Sequence, residues 1–85
     1  MLNGISGFSS NTLRYEGAKS VFDKYPDITI LAAEDAGWDY AAAKTVTSDL
    51  LATYPEIDAV WSQGGAMTLG AIDSFKAANR ELVPM

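Results

Sequence analysis

The sequence contains no cysteine and no histidine. Without cysteine no disulfide can staple the chain, and nothing in it reports on redox compartment. Without histidine the commonest general base and the commonest metal ligand are both missing. Positive charge is scarce: 6 lysines and arginines face 11 carboxylates, for a net charge of −5. The cations, Arg14, Lys19, Lys24, Lys44, Lys76 and Arg80, are scattered along the chain. No basic patch exists to neutralise phosphates, which argues against nucleic-acid binding. No apolar run approaches the roughly 18 residues of a membrane span. No signal peptide precedes the first strand, so a secreted parent would carry its signal upstream. At 85 residues the chain is one small domain at most. It buries only about 60–65% of its unfolded surface, which makes it marginal without a staple or a partner.

What is present is an alternation of short apolar runs and helical periodicities. Met1 to Arg14, MLNGISGFSSNTLR, is an apolar start, two glycines, a Ser-Ser-Asn turn and a helix start carrying an arginine. Residues Asn11 to Tyr25 predict a first helix, with Leu13, Gly17, Ala18, Val21, Phe22 and Tyr25 at helical spacing. Ser9, Ser10 and Asn11 are good N-cap types, and Pro26-Asp27 ends the helix. Ile28 to Ala33, ITILAA, predicts a strand buried on both faces. Glu34 to Gly37 then form a loop, and Asp39 caps a second helix running through Tyr54. Ala43, Val46, Leu50 and Tyr54 would face inward. Ile57 to Ser62 predicts another strand. Gly64-Gly65 turns into a third helix, Ala66 to Ala78, with Leu69, Ile72 and Phe75 inward and Asn79-Arg80 closing it. Leu82-Val83 opens a fourth strand.

Strands separated by single helices run parallel, with right-handed crossovers. The expected fold is a three-layer α/β/α sandwich with a parallel sheet in strand order 2-1-3-4, half of a doubly wound sheet. Little strand precedes the first loop, and Val83-Pro84-Met85 stops where a strand begins. Residues 1–85 therefore read as a single partial domain, a fragment of a ligand-binding lobe.

Open sheets of this kind bind small ligands at the carboxyl edge of their strands. Gly4-x-x-Gly7 is not a dinucleotide fingerprint, and Gly64-Gly65 with Gly70 lacks the Lys-Ser/Thr ending of a phosphate loop. Tight strand-to-helix turns and close helix packing are the preferred account of these glycines. Arg14, one turn into the first helix, could clamp hydroxyl or carboxylate oxygens with its planar fork, or pair with a surface carboxylate. Trp38 follows the second strand and offers a flat face to a sugar ring, or anchors its loop. Phe8 lies in the first loop. Trp61, near the end of the third strand, reads as core. Glu34-Asp35 is an acidic pair without a third ligand, and Ser9, Ser10 and Ser62 have no base to activate them. Neither an enzyme, a metal site nor a cofactor is indicated. A receiver-type enzyme would need an aspartate at a strand end, where this chain has Gly4, Ala33 and Ser62.

In order, Gly-x-x-Gly, N-x-x-R-x-x-G (Asn11, Arg14, Gly17), Trp38-Asp39, LLATYP, IDAVWSQ and AMTLGAI resemble the periplasmic sugar-binding proteins of ABC transporters. The resemblance is to the type I, ribose-binding branch, which shares its fold with LacI-type sensor domains. It covers nearly the whole chain and corresponds mostly to the C-terminal lobe of a longer protein. It implies half of a type I periplasmic-binding-protein fold that captures a sugar or similar small polar solute by two-lobe closure. It also implies delivery to an ABC permease and a periplasmic, or extracellular and lipid-anchored, location. Arg14 matches the ligand-clamping arginine, Trp38 an aromatic that stacks on the sugar, and Ile5 an apolar pocket residue. Phe8 and Asn11 belong to the same stretch of candidate ligand-binding residues. Gly64 stands where the family often has Asn or Asp, leaving room for a bulkier or less hydroxylated ligand, or for water. A LacI-type regulator with a DNA-binding head upstream is the alternative. Three helices for four strands leave the apolar edge Leu82 to Met85 uncovered, so the isolated fragment is expected to self-associate.

Overall fold

The computed structural model describes residues 1–85. The elements are β1 (Leu2–Asn3), α1 (Ser9–Phe22), β2 (Glu34–Asp35), α2 (Tyr40–Thr53) and α3 (Gly65–Ala77). β1 and β2 pair in parallel, Leu2 opposite Glu34 and Asn3 opposite Asp35. On the other side of β1, Leu2 forms a single parallel bridge with Ser62. Farther along, the Val60 N–H donates to the Pro84 carbonyl at 2.9 Å.

The strands differ from expectation. ITILAA is not a strand, and the paired residues are Glu34-Asp35, assigned above to a loop. Ile28 is 47% exposed and Leu31 45%, so this run is not buried on both faces. The reason is the pairing. Regular strand structure needs a backbone opposite, and the register that sets Leu2 against Glu34 puts Met1 opposite Ala33. Residues 28 to 31 therefore face no β1 residue. Ile57 to Ser62 and Leu82 onward likewise form no regular strand.

The core gathers between the sheet and the α2–α3 pair. Leu2, Ala36, Ala43, Met67 and Ala71 form it, with Trp38, Val46, Val60 and Met85 packed alongside. On α2 the buried residues are Ala43, Thr47 and Leu51, so Ala43 faces inward as expected while Val46, Leu50 and Tyr54 are half-buried. On α3 they are Met67, Gly70, Ala71, Ser74 and Phe75. Phe75 is inward as expected, but Leu69 is 59% exposed. The inner face of α3 is set by close approach to α2: a methyl at Gly70 would lie 2.5 Å from the Tyr40 carbonyl oxygen. Leu69, about 100° around the helix from that contact, faces out. Ser74 Oγ donates to the Lys44 carbonyl at 2.6 Å, adding a polar link to the seam.

Helix α1 starts at Ser9 and ends at Phe22, earlier at both ends than the spacing predicts. Its N-cap is Phe8, with no side-chain cap, because Asn11 turns inward instead. Only Asn11 is buried, and Leu13, Val21 and Tyr25 are exposed. By contrast α2 carries the expected cap, Asp39 Oδ2 accepting from the Ala42 N–H at 2.8 Å. Asn79, with φ 56°, ends α3 in the left-handed conformation that asparagine tolerates.

Candidate functional site

Three loops leave the carboxyl edge: residues 4–8 after β1, 36–39 after β2, and 62–65 after the Ser62 bridge. The first two stop being sheet for a readable reason. Gly7 has φ 90° and Gly37 φ 62°, both in the left-handed region that favours glycine. Trp38 is also left-handed, with φ 52°. For a bulky residue that conformation is unusual and costs about 1–3 kcal/mol.

That backbone lays the Trp38 indole across the first and third loops. A methyl on Gly4 would overlap the ring, and one on Gly64 would lie 3.4 Å from Cδ1. The two glycines are thus the floor on which the indole rests. Phe8 meets the ring edge to face, with centroids 5.9 Å apart and an interplanar angle of 76°. The Arg14 Cζ lies 6.0 Å from the ring centroid, at the limit of a cation–π contact. The indole Nε1 is buried and donates to no group of the chain.

Beneath the aromatic group runs a buried polar network. The Gly4 N–H donates to Asn11 Oδ1 at 2.9 Å. Gln63 Nε2 donates to Asn3 Oδ1 at 3.2 Å and to the Asn11 carbonyl at 3.3 Å. Arg14 Nη1 donates to the Gln63 carbonyl at 3.3 Å. Gln63 therefore ties together β1, α1 and the third loop, and its own Oε1 is buried without a partner. Neither Gln63 nor Asn3 stood out as a candidate. The available signal was Gln63 closing IDAVWSQ, a polar side chain at the end of an apolar run, where the fold turns its strand ends together.

The structure brings Arg14, Trp38, Phe8 and Gly64 to one place. Ile5 is exposed in the first loop, on the Gly37 side: a methyl at Gly37 would lie 3.9 Å from Ile5 Cγ1. Asn11 sits under the surface with its side-chain oxygen engaged. Arg14 is exposed and Trp38 partly so, on the same edge. Trp61 is half-buried and lines a separate groove at the opposite, amino edge. That groove, about 520 Å³, does not touch the aromatic cluster.

What the arrangement offers is an aromatic face, a guanidinium and a strip of glycine backbone, with no acid–base pair within reach. No group of three or more carboxylates gathers as a metal-binding set. No helix is long and apolar enough to cross a membrane. The three loops form one wall, open on the side away from the sheet.

Residues 1–84 match a family described as "Periplasmic binding protein domain". Among similar proteins, the ribose import binding protein RbsB of Haemophilus influenzae is 35% identical over 82 residues, which are 96% of this chain and 28% of that protein. The xylitol-binding protein of Mycolicibacterium smegmatis is 36% identical over 86 residues, 100% of this chain and 25% of that one. An ABC transporter periplasmic solute binding protein from Actinobacillus succinogenes, solved with bound D-allose, superposes with a TM-score of 0.88 at 33% identity, covering 92% of this chain and 28% of its own. The fructose-binding periplasmic domain of a hybrid two-component system superposes with a TM-score of 0.92 at 32% identity, over 94% of this chain and 27% of that one. The chain thus spans about a quarter of the length of these relatives. The first two are binding proteins, not enzymes.

Proposed function

This chain belongs to the periplasmic binding protein domain family, and from that premise we propose that it is part of one lobe of a sugar-binding component of an ABC transporter. The observation that carries the proposal is the meeting of Trp38, Phe8 and Arg14 over Gly4 and Gly64 at one sheet edge. The indole face suits the C–H side of a sugar ring, and the guanidinium suits its hydroxyls. An indole with a left-handed backbone and a buried, unpartnered N–H is costly. A ligand oxygen that accepted this N–H would offset part of that cost. Gly64, lacking a side chain, lets the indole lie against the third loop.

The wall described here is one side of a cleft, so capture of a small solute takes a second lobe and hinge closure. Working pockets bury about 70–90% of a small ligand, which one wall does not achieve. In the parent lobe the strands take the order 2-1-3-4. The β1–β2 pair, the Leu2–Ser62 bridge and the Val60–Pro84 hydrogen bond support that order. Residues 1–85 are then one partial domain, the parent works in the periplasm, and its partner is a permease. Exposed Ile28, Leu31, Leu13 and Val21 support self-association of the isolated chain. A second reading, a sensor lobe, draws support from the likeness to the fructose-binding domain of a two-component system.

The test is calorimetric titration of the full-length protein with ribose, xylitol, D-allose and fructose. One-site, saturable binding of at least one is expected. Absence of heat with all of them and with a wider pentose and hexose panel would remove the sugar reading.

A further inference from the structure

We propose that Gln63 is a positioning residue of the sugar site: it fixes where the Arg14 guanidinium stands against Trp38, and so sets the affinity for the sugar without touching it. This rests on the reading of the Trp38–Arg14 wall as a sugar site, and the experiment below separates the two.

In sequence Gln63 closes the apolar run IDAVWSQ, directly before the glycine pair that opens α3. Its N–H donates to the Leu2 carbonyl at 3.2 Å, which seats its backbone beside β1. Leu2 turns into the core with Ala43, Met67 and Ala71, so strand alternation turns Asn3 to the opposite face, toward α1. The Gln63 side chain reaches that face too. Its Nε2 donates to Asn3 Oδ1 at 3.2 Å and to the Asn11 carbonyl of α1 at 3.3 Å. Only 9% of Gln63 is exposed, which leaves a ligand almost nothing of it to touch.

Gln63 acts on Arg14 by two routes. Its amide holds the first turn of α1 through Asn11, which lies three residues before Arg14 on the same side of the helix. Its main-chain carbonyl accepts from Arg14 Nη1 at 3.3 Å. One residue therefore holds both the helix that carries the arginine and the tip of the arginine itself. Arg14 makes no ion pair within the chain. The indole 6.0 Å away is seated independently, on Gly4 and Gly64. A shift of the amino end of α1 therefore changes the separation of Arg14 and Trp38 rather than moving both together.

Two local sacrifices point the same way. Asn11 has the chemistry of a helix cap, yet its Oδ1 is taken by the Gly4 N–H at 2.9 Å, and α1 begins without a side-chain cap. Gln63 Oε1 is buried with no partner. The orientation of the amide is fixed all the same, because turning it over would set Oε1 against two acceptor oxygens, Asn3 Oδ1 and the Asn11 carbonyl. An uncapped helix and a buried orphan oxygen both destabilise a fold, and such violations persist where function needs a group held in place. A methionine has a similar shape and no orphan oxygen, and inside α1 the Asn11 carbonyl keeps the helical N–H of Tyr15. For stability alone methionine at position 63 would serve as well as glutamine; for placing Arg14 it would not.

The test is a double-mutant cycle in the full-length protein: Gln63→Met, Arg14→Ala and the two together, each titrated with a sugar that binds the unmodified protein. Gln63→Met alone should weaken binding by about tenfold, as when the guanidinium holds its place only about a tenth of the time. In the Arg14→Ala background the same change should weaken it by less than about twofold, because Gln63 acts through Arg14. The thermal midpoint of Gln63→Met should move by less than about 4 °C. A merely structural role would instead lower the midpoint and leave the affinity of the folded protein unchanged. Asn3→Ala removes the other anchor of the same amide and should weaken binding in the same direction, which decides the matter if Gln63→Met does not fold. Affinity within twofold of the unmodified protein in the folded variant, or an equal loss in both backgrounds, would overturn the proposal. If no sugar binds the unmodified protein, the sugar reading fails by itself, and the placement of Arg14 is read without sugar from its Nε–H nuclear magnetic resonance signal. In Gln63→Met the heteronuclear Overhauser effect of that signal should fall toward the value of a freely moving arginine; an unchanged value would overturn the placement.

Discussion

Helix α3 lies so close to α2 that a methyl at Gly70 would sit 2.5 Å from the Tyr40 carbonyl, whereas α1 buries a single residue, Asn11. The α2–α3 pair is held by shape: Ala43, Ala71 and Gly70 let two backbones approach, and Met67 and Phe75 fill the space around them. Helix α1 is held by polar groups at its amino end, where Asn11 and Arg14 bond to the first and third loops. The difference separates two jobs. The shape-fitted pair makes the fold stable, and the polar anchorage places Arg14 beside Trp38. A helix held at one end by hydrogen bonds is also the part most easily shifted without unfolding the rest.

The largest expected effect breaks the shape-fitted side. Gly70→Ala forces a methyl against rigid backbone and should destabilise the chain by about 3 kcal/mol, at the top of the usual range for overpacking. Chemical unfolding measures it; a loss below about 0.5 kcal/mol would mean the helices are not locked as described. On the polar side, Asn11→Ala leaves the buried Gly4 N–H unpaired and should cost about 2 kcal/mol. Amide exchange should quicken through α1 before α2 or α3 responds, and uniform quickening would erase the distinction between the two faces. Asp39→Ala removes the α2 cap and should cost about 1 kcal/mol, independently of the other two changes.

The smallest effect is a pH dependence. Burial lowers the Met1 amine below its ordinary value of 8.0 in the fold. Between the lowered value and 8.0 the unfolded chain binds more protons than the folded one, so stability should rise as pH climbs toward 8.0. A midpoint that falls over that range in denaturant titrations would contradict the burial. Tyr40 acts at higher pH and in the opposite direction. Its hydrogen bond to Asp73 raises its pKa, so its contribution is lost as pH rises past its ordinary value of 10.0.

Much of the site was legible because it follows from order along the chain. A residue just after a strand, or one turn into the next helix, lies at the carboxyl edge, and that logic brought Arg14, Trp38, Phe8 and Gly64 together. What escaped depends on partners distant in sequence. ITILAA has strand composition, but pairing needs a backbone opposite, which residues 28 to 31 lack. Leu69 has the right period for an inward residue, yet the small face of Gly70 and Ala71 sets the rotation of α3. Asn11 has the chemistry of a helix cap, yet the Gly4 N–H seven residues earlier competes for its oxygen. Gln63 was hidden for the same reason, since its partners Asn3 and Asn11 are 60 and 52 residues away.

The central claim is that the Trp38–Arg14 face contacts the captured sugar. It is tested most directly by titrating a sugar that binds the full-length protein into its Arg14→Ala variant, with Trp38 fluorescence as the readout. Loss of the charge-assisted hydrogen bonds should weaken binding by about 30-fold or more, and the thermal midpoint without sugar should drop by no more than about 5 °C. An affinity within twofold of the unmodified protein, with the fluorescence response intact, would show that the sugar binds elsewhere and contradict the account.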